Sequence, residues 1–152
     1  MLIRITAVNR GPETAPLHLL PTLWFRNTWS WNGGAKPSLS KAVPDKGRNR
    51  VEANHPTLGN RWLYIENPDE ILFTENETNT EKLFGIKNAS PYVKDGINDY
   101  IVDGKKEAVN PAGTGTKMSA HYSLEIPGGG TKIIRLRLAD SNKLASPFGP
   151  EF

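Results

Sequence analysis

Fourteen glycines and twelve prolines are spread through all 152 residues of the chain. In a helix interior glycine costs about 1 kcal/mol and proline about 3 relative to alanine. Such punctuation therefore favours short elements joined by turns. Between the breaks the apolar residues alternate with polar ones, which is the period of a half-buried strand. The clearest run sets Met118, Ala120, Tyr122, Leu124 and Ile126 against Lys117, Ser119, His121, Ser123 and Glu125. After Pro127-Gly128-Gly129-Gly130, Ile134, Leu136 and Leu138 alternate with Ile133, Arg135 and Arg137. The pattern predicts a hairpin with one wet and one buried face.

Other strands follow the same rule. In Leu2–Val8, Ile3, Ile5 and Ala7 share one face, and Asn9-Arg10-Gly11-Pro12 reads as a turn. Leu17, Leu19, Leu23 and Phe25 oppose His18, Thr22, Trp24 and Arg26. Pro21 inside that run predicts a bulge or an edge position, because proline cannot donate to a ladder. Arg61–Glu66 and Glu70–Thr74 are two further strands, separated by Asn67-Pro68-Asp69. One or two short helices are expected. Thr78-x-x-Glu81, ahead of Leu83 and Phe84 and followed by Gly85, has the form of a capping box with a glycine stop. Asp95–Val102 fits either a short helix or a strand. Residues 32–60 show no period and read as a long irregular loop. The expected fold is an all-β, antiparallel sandwich in a single domain spanning 1–152.

Composition removes several functions. Apolar residues at 37% and charged ones at 23% describe a globular chain. The absence of cysteine excludes disulfides, thiolate metal sites and cysteine nucleophiles. No apolar run reaches the ~20 residues of a membrane helix, and a cytoplasmic protein without membrane contact is expected. Residues 1–60 carry eight Lys or Arg against three acids, 61–104 four against nine, and 105–152 seven against four. An acidic middle breaks up the basic stripe that nucleic-acid binding needs. Gly113-Thr114-Gly115-Thr116-Lys117 has the wrong spacing for a phosphate loop. His18, His55 and His121 show no metal-ligand spacing, and no cofactor or metal is expected.

Two constellations could carry function. Three of the four tryptophans fall within Trp24–Trp31, interleaved with Arg26, Asn27 and, just beyond, Asn32. If the strand continues, Trp29 and Trp31 share one side. Flat apolar faces beside Arg and Asn donors suit a sugar ring, with its C–H faces and paired hydroxyls. They would also suit a stacked base, or seal one end of the sandwich against another domain. The second constellation is Glu75-Asn76-Glu77-Thr78-Asn79. Glu75 and Glu77 would point the same way if extended, and paired carboxylates are what glycosidases use. Acids in a helix's first turn also simply match its dipole.

These segments carry a resemblance. Asn9-Arg10-Gly11-Pro12-Glu13 and Leu19-Leu20-Pro21-Thr22-Leu23-Trp24-Phe25-Arg26-Asn27-Thr28-Trp29-Ser30-Trp31 resemble a segment of large bacterial proteins of glycoside hydrolase family 63. Leu72–Asn79, Pro91–Asp95 and Asn110–Lys117 resemble the same proteins in the same order. The likeness implies the N-terminal β-sandwich, part of a super-sandwich, of an inverting α-glucosidase or mannosylglycerate hydrolase type of enzyme. In that family the general acid and base belong to an (α/α)6 barrel, and nothing in this chain resembles it. No catalytic residue is carried over. The implied partners are that barrel and an α-glucoside or related sugar, with Arg26, Asn27, Trp29, Trp31, Glu75, Asn76, Glu77 and Asn79 as contact candidates. The segment that precedes this one in such proteins is lacking, so Met1 is expected to be a truncated start. Unpaired sheet edges then predict self-association.

Overall fold

The structure, a computed structural model, describes residues 1–43, 47–150 and 152. It is an antiparallel β-sandwich. The strands are β1 (Leu2–Val8), β2 (Ala15–Leu19), β3 (Thr22–Trp24), β4 (Ser38–Lys41), β5 (Asn49–His55), β6 (Gly59–Ile65), β7 (Glu70–Thr74), β8 (Thr114–Gly115), β9 (Lys117–Ile126) and β10 (Thr131–Ala139). Six of them form one sheet in the order β1-β10-β6-β5-β4-β8. In the smaller sheet β9 lies centrally, with β2 and β3 along one side and β7 along the other. Three short helices, α1 (Trp29–Asn32), α2 (Thr80–Phe84) and α3 (Gly96–Asp103), lie in the connections. Among the described residues no helix is long and apolar enough to cross a membrane.

The alternation explains the core. Val51, Ala53, Leu63, Ile65, Ile134 and Leu136 from the large sheet pack with Phe73, Met118, Ala120 and Tyr122 from the small one. Successive strand residues point to opposite faces, so one apolar residue in two fills the space between sheets.

Both strands of the expected C-terminal hairpin form, but they do not pair with each other. β9 pairs with β2, β3 and β7, whereas β10 pairs with β1 and β6. The Pro127–Gly130 turn carries the chain from one sheet to the other, so the two apolar stripes face across the core. The turn leaves no room for a side chain at Gly128, where a Cβ would lie 2.1 Å from the Pro12 carbonyl oxygen. Alternation reports which face is apolar and is silent about which neighbour supplies the hydrogen bonds. Nor is the outer face of β9 uniformly wet. Ser119 and His121 are buried, and a second small core of Leu72, Ile97 and Val109, with Leu20, Tyr100 and Ile101 against it, forms where α3 packs.

Pro21 does lie on an edge, and no bulge accompanies it. The register runs on from Leu19 opposite Tyr122 to Thr22 opposite Ser119. The Ala120 N–H donates to the Pro21 carbonyl at 3.0 Å in between.

The loop expected over 32–60 is corrected. It contains β4 and β5 and the start of β6, while residues 44–46 lie outside the described residues. Each strand offers too few apolar residues to show a period: Leu39 in β4, Val51 and Ala53 in β5, all buried. The α2 cap is also one residue later than expected. Asn79, not Thr78, occupies the N-cap, and its side chain accepts from the Lys82 N–H. The glycine stop holds, with Gly85 at φ 67°. Asp95–Val102 resolves as helix, over Gly96–Asp103.

After β10 the chain returns across the outer face of the large sheet. It buries Tyr64, whose hydroxyl donates to the Ser141 carbonyl at 2.9 Å. Arg50 donates to the Asn142 carbonyl at 2.6 Å, and Arg135 to that of Phe148 at 3.2 Å.

Candidate functional site

Two chain segments leave the small sheet at the same end. The strand ending in β3 continues through Phe25 to Thr28 and turns into α1. β7 continues through Glu75–Thr78 into α2. Thr116, fully buried between them, ties both to the sheet. Its N–H donates to the Thr74 carbonyl at 3.1 Å, and its carbonyl accepts from the Phe25 N–H at 3.0 Å. Its hydroxyl accepts from the Asn76 N–H at 2.8 Å and donates to Glu75 Oε2 at 2.7 Å. Asn76 Nδ2 donates to the Phe25 carbonyl at 2.9 Å, closing the link between the segments.

The tryptophan segment does not stay extended. Residues 29–32 form one helical turn ended by Gly33 at φ 63°. The Asn27 side-chain oxygen accepts from the Ser30 N–H at 3.2 Å and from its hydroxyl at 2.6 Å, which draws the chain into that turn. Trp29 and Trp31 therefore diverge instead of sharing one side. Trp29 is half-buried and its indole N–H donates to Glu77 Oε1 at 3.1 Å. Trp31 is 67% exposed, with the Arg26 guanidinium 5.7 Å from its ring centroid. The Asn32 side chain lies outside the described atoms.

Glu75 and Glu77 do point the same way, toward a single cation. Lys36 Nζ lies 3.1 Å from Glu75 Oε2, 3.1 Å from Glu77 Oε1 and 5.8 Å from the centroid of Trp29. Burial pushes the Glu77 carboxyl up, but the Trp29 N–H and the Lys36 ammonium outweigh it and hold Glu77 below the usual carboxylate range. Burial pushes Lys36 down, and its bonds to Glu77 and Glu75 more than reverse that. A glycosidase proton donor needs the opposite perturbation, a carboxyl held protonated. Glu77 is suited to accepting hydrogen bonds.

In front of this clasp opens a cleft of about 450 Å³. Arg26, Asn27 and Trp31 of the first segment and Asn76, Glu77 and Thr78 of the second line it, together with Lys87, Val93 and Lys94. Five of the eight candidates thus meet in one hollow. Trp29 and Glu75 stand behind it in the clasp. Asn79 is consumed structurally: its oxygen accepts from Asn88 Nδ2 at 3.0 Å, and its amide donates to Asp95 Oδ2 at 3.1 Å. Sequence reasoning passed over Lys36, a lone cation outside any motif, and met Thr116 only as part of the rejected Gly113–Lys117 phosphate-loop look-alike. Lys94, also unflagged, lies in a resembling segment and donates to the Thr78 hydroxyl at 3.2 Å.

A larger hollow of about 590 Å³ lies against Glu66, Tyr122 and Arg135. Arg4 and Lys132 line it too, and two of its charges, Glu66 and Arg135, are paired with each other. Arg135 Nε donates to Glu66 Oε2 at 2.8 Å, and the guanidinium lies 5.8 and 5.4 Å from the rings of Phe148 and Phe152. The smaller cleft keeps the Trp31 indole turned to solvent, while the Asn76 amide is engaged with the Phe25 carbonyl. Among the described residues no group of three or more His, Asp or Glu side chains is placed to hold a metal ion.

No family model matches the chain, and no solved structure matches it. It is similar to the uncharacterized protein YMR196W of Saccharomyces cerevisiae, with 33% identity over 92% of this chain. The chain spans 15% of the length of that yeast relative.

Proposed function

We propose that this chain is a non-catalytic β-sandwich domain of a glycoside hydrolase family 63-like glucosidase, supporting the catalytic (α/α)6 barrel and forming one wall of a sugar cleft. The observation that carries the reading is the meeting of Arg26, Asn27, Trp31, Asn76 and Glu77, from two separate resembling segments, around one solvent-facing hollow. Donors from Arg and Asn, an acceptor fixed as a carboxylate, and an open indole are the groups that grip a sugar's hydroxyl rim and C–H face. The similarity to a small fraction of a far longer protein is in keeping with a module that works beside other domains. Apolar side chains left exposed on α2 and just after it, Leu83, Phe84 and Ile86, suit contact with such a neighbour. The reading places the protein in the cytoplasm and involves no cofactor, nucleic acid or membrane.

The second reading is a free-standing carbohydrate-binding module, favoured by the exposure of Trp31. Intrinsic tryptophan fluorescence titrated with α-glucosides and mannosides separates the two. A wall of a composite cleft gives only weak, millimolar changes in the isolated chain, and a complete binding module saturates at micromolar sugar. No change at any attainable concentration removes the sugar contact and leaves a scaffold. Hydrolysis of an aryl α-glucoside by the isolated chain would contradict the non-catalytic assignment.

A further inference from the structure

The hollow of about 590 Å³ shares no residue with the Trp31 cleft and wraps a length of strand edge that has lost its neighbour. β10 pairs with β1 over residues 131–137, but with β6 only over 136–139. β6 ends at Ile65. After a last bond from the Glu66 N–H to the Arg135 carbonyl, at 3.2 Å, the chain leaves for the other sheet. It turns away at Asn67, whose φ of 42° asparagine tolerates better than most residues do. Among the described residues no strand pairs with the side of 131–134 that faces away from β1. The ladder to β1 fixes which backbone groups are free there. Met1 and Leu138 exchange both bonds, at 2.8 and 2.9 Å, and the Asn9 N–H donates to the Gly130 carbonyl at 3.0 Å. Even-numbered residues of β10 therefore face β1, while Thr131 and Ile133 turn N–H and C=O to the open side.

Charge singles out what fits this edge. Arg4 stands directly opposite Arg135 in the register, at a position without ladder bonds, where cross-strand side chains come closest. Like charges so placed repel each other. Arg135 is committed to Glu66, its Nε donating to Oε2 at 2.8 Å. Among the described residues Arg4 and Lys132 have no hydrogen-bond or ion-pair partner, so the hollow holds two uncompensated cations. Its lining comes from both faces of β10, Ile133 and Arg135 from one, Lys132 and Ile134 from the other, and Leu124 of β9 adds apolar surface. We propose that residues 131–134 of β10 are a strand-addition site for an extended acidic peptide segment of a partner protein.

An added strand meets the free N–H and C=O groups of Thr131 and Ile133, the main-chain grip common to such complexes. Four residues at about 3.3 Å each give it roughly 13 Å of edge. Side chains of the added strand alternate between the two faces of the sheet. One register sets carboxylates at every second residue on the side of Arg4, and the apolar side chains between them on the side of Ile134 and Leu124. Lys132 adds its charge at the same end of the hollow. A free small anion would satisfy the cations and leave the strand edge unpaired, so the backbone favours a peptide.

The test is a titration of the 152-residue chain with acetyl-Glu-Val-Glu-Val-Glu-amide, read from backbone amide resonances and hydrogen exchange. The Thr131 and Ile133 amides are expected to shift together, to saturate and to gain protection, and the same peptide with lysine for glutamate should not bind. Arg4→Gln and Lys132→Gln, both at exposed positions, should each weaken binding about two- to fivefold. Ile133→Pro removes a free donor and no bond to β1, and should weaken binding about three- to tenfold. Where that variant fails to fold, the exchange of the wild-type Ile133 amide with and without peptide decides. Equal binding of the lysine peptide, binding that both charge variants leave unchanged, or saturation without protection of Thr131 and Ile133 overturns the proposal. Succinate binding as tightly as the peptide would reduce the site to an anion hollow and overturn it equally.

Discussion

The indole N–H of Trp29 donates to Glu77 Oε1 at 3.1 Å, joining two residues 48 positions apart. That bond fastens the α1 turn to the segment after β7. It holds Arg26 and Trp31 in the same hollow as Asn76 and Glu77. Lys36 closes the same clasp from the side.

Trp29→Phe keeps most of the ring and deletes the donor. Loss of a hydrogen bond to a half-buried carboxylate is expected to cost about 1.5–3 kcal/mol, read from urea unfolding. The Glu77 carboxyl should rise toward its ordinary range. Trp31→Phe, at an exposed site, should stay within about 0.5 kcal/mol of wild type. Equal losses from both substitutions would remove the clasp's role.

The clasp also sets a pH signature. Glu77 is held below its ordinary value, so its contribution is present at neutral pH and lost as pH falls through the lowered value. Lys36 is held above its own, so its contribution is present below the ordinary lysine value and lost as pH rises through the raised one. The stability gap between wild type and Lys36→Met is expected to be flat near neutrality and to close toward both extremes. With the Lys36 side chain 43% exposed, the gap should be about 1 kcal/mol or less.

Gly115 lies where β8 passes β7. A Cβ there would stand 2.2 Å from the Thr74 carbonyl oxygen and 2.9 Å from its carbon. Backbone cannot step aside as a flexible side chain can. Gly115→Ala is therefore expected to cost about 3 kcal/mol or more and to loosen Thr116 with the cleft behind it. An unfolding midpoint unchanged from wild type would contradict the packing described.

Tyr122 is buried in the core, and its hydroxyl donates to the Glu66 carbonyl at 2.6 Å. Burial, with Glu66 and Asp69 nearby, pushes that hydroxyl far above its usual range. The resulting stabilisation is present below the ordinary tyrosine value and lost as pH rises through the raised one. Phenolate absorbance from Tyr122 should thus appear only with alkaline unfolding. Tyr122→Phe should cost about 1–2 kcal/mol, because the Glu66 carbonyl is left without its donor.

The sheet edges differ in protection. The β2–β3 edge is interrupted by Pro16 and Pro21, whereas β1, from Leu2 to Val8, has no proline and pairs on one side only. Self-association is therefore expected along β1. Sedimentation velocity should show a concentration-dependent dimer that Thr6→Pro abolishes. A clean monomer at high concentration would contradict this.

Much of the sandwich was legible because burial leaves a period. Ile3 and Ile5, Met118 and Tyr122, Ile134 and Leu136 all face the core as alternation required. What stayed hidden depends on partners distant in sequence. Nothing local to β9 distinguishes pairing with β10 from pairing with β7. β4 and β5 bury so few apolar residues that no period emerges. In the cleft, the tryptophans and glutamates announced themselves by clustering. The turn that separates Trp29 from Trp31 follows from one side chain, Asn27, whose oxygen accepts twice from Ser30, and Thr116 matters only because both segments converge on it.

Sugar binding in the Trp31 cleft is the step on which the proposed function turns. Indole and backbone resonances followed during titration with methyl α-glucoside test it most directly. The Trp31 indole, Asn27, Asn76 and Glu77 are expected to shift together, with Trp62 unmoved. Shifts confined to other surfaces, or none at all up to the solubility limit of the sugar, would contradict it.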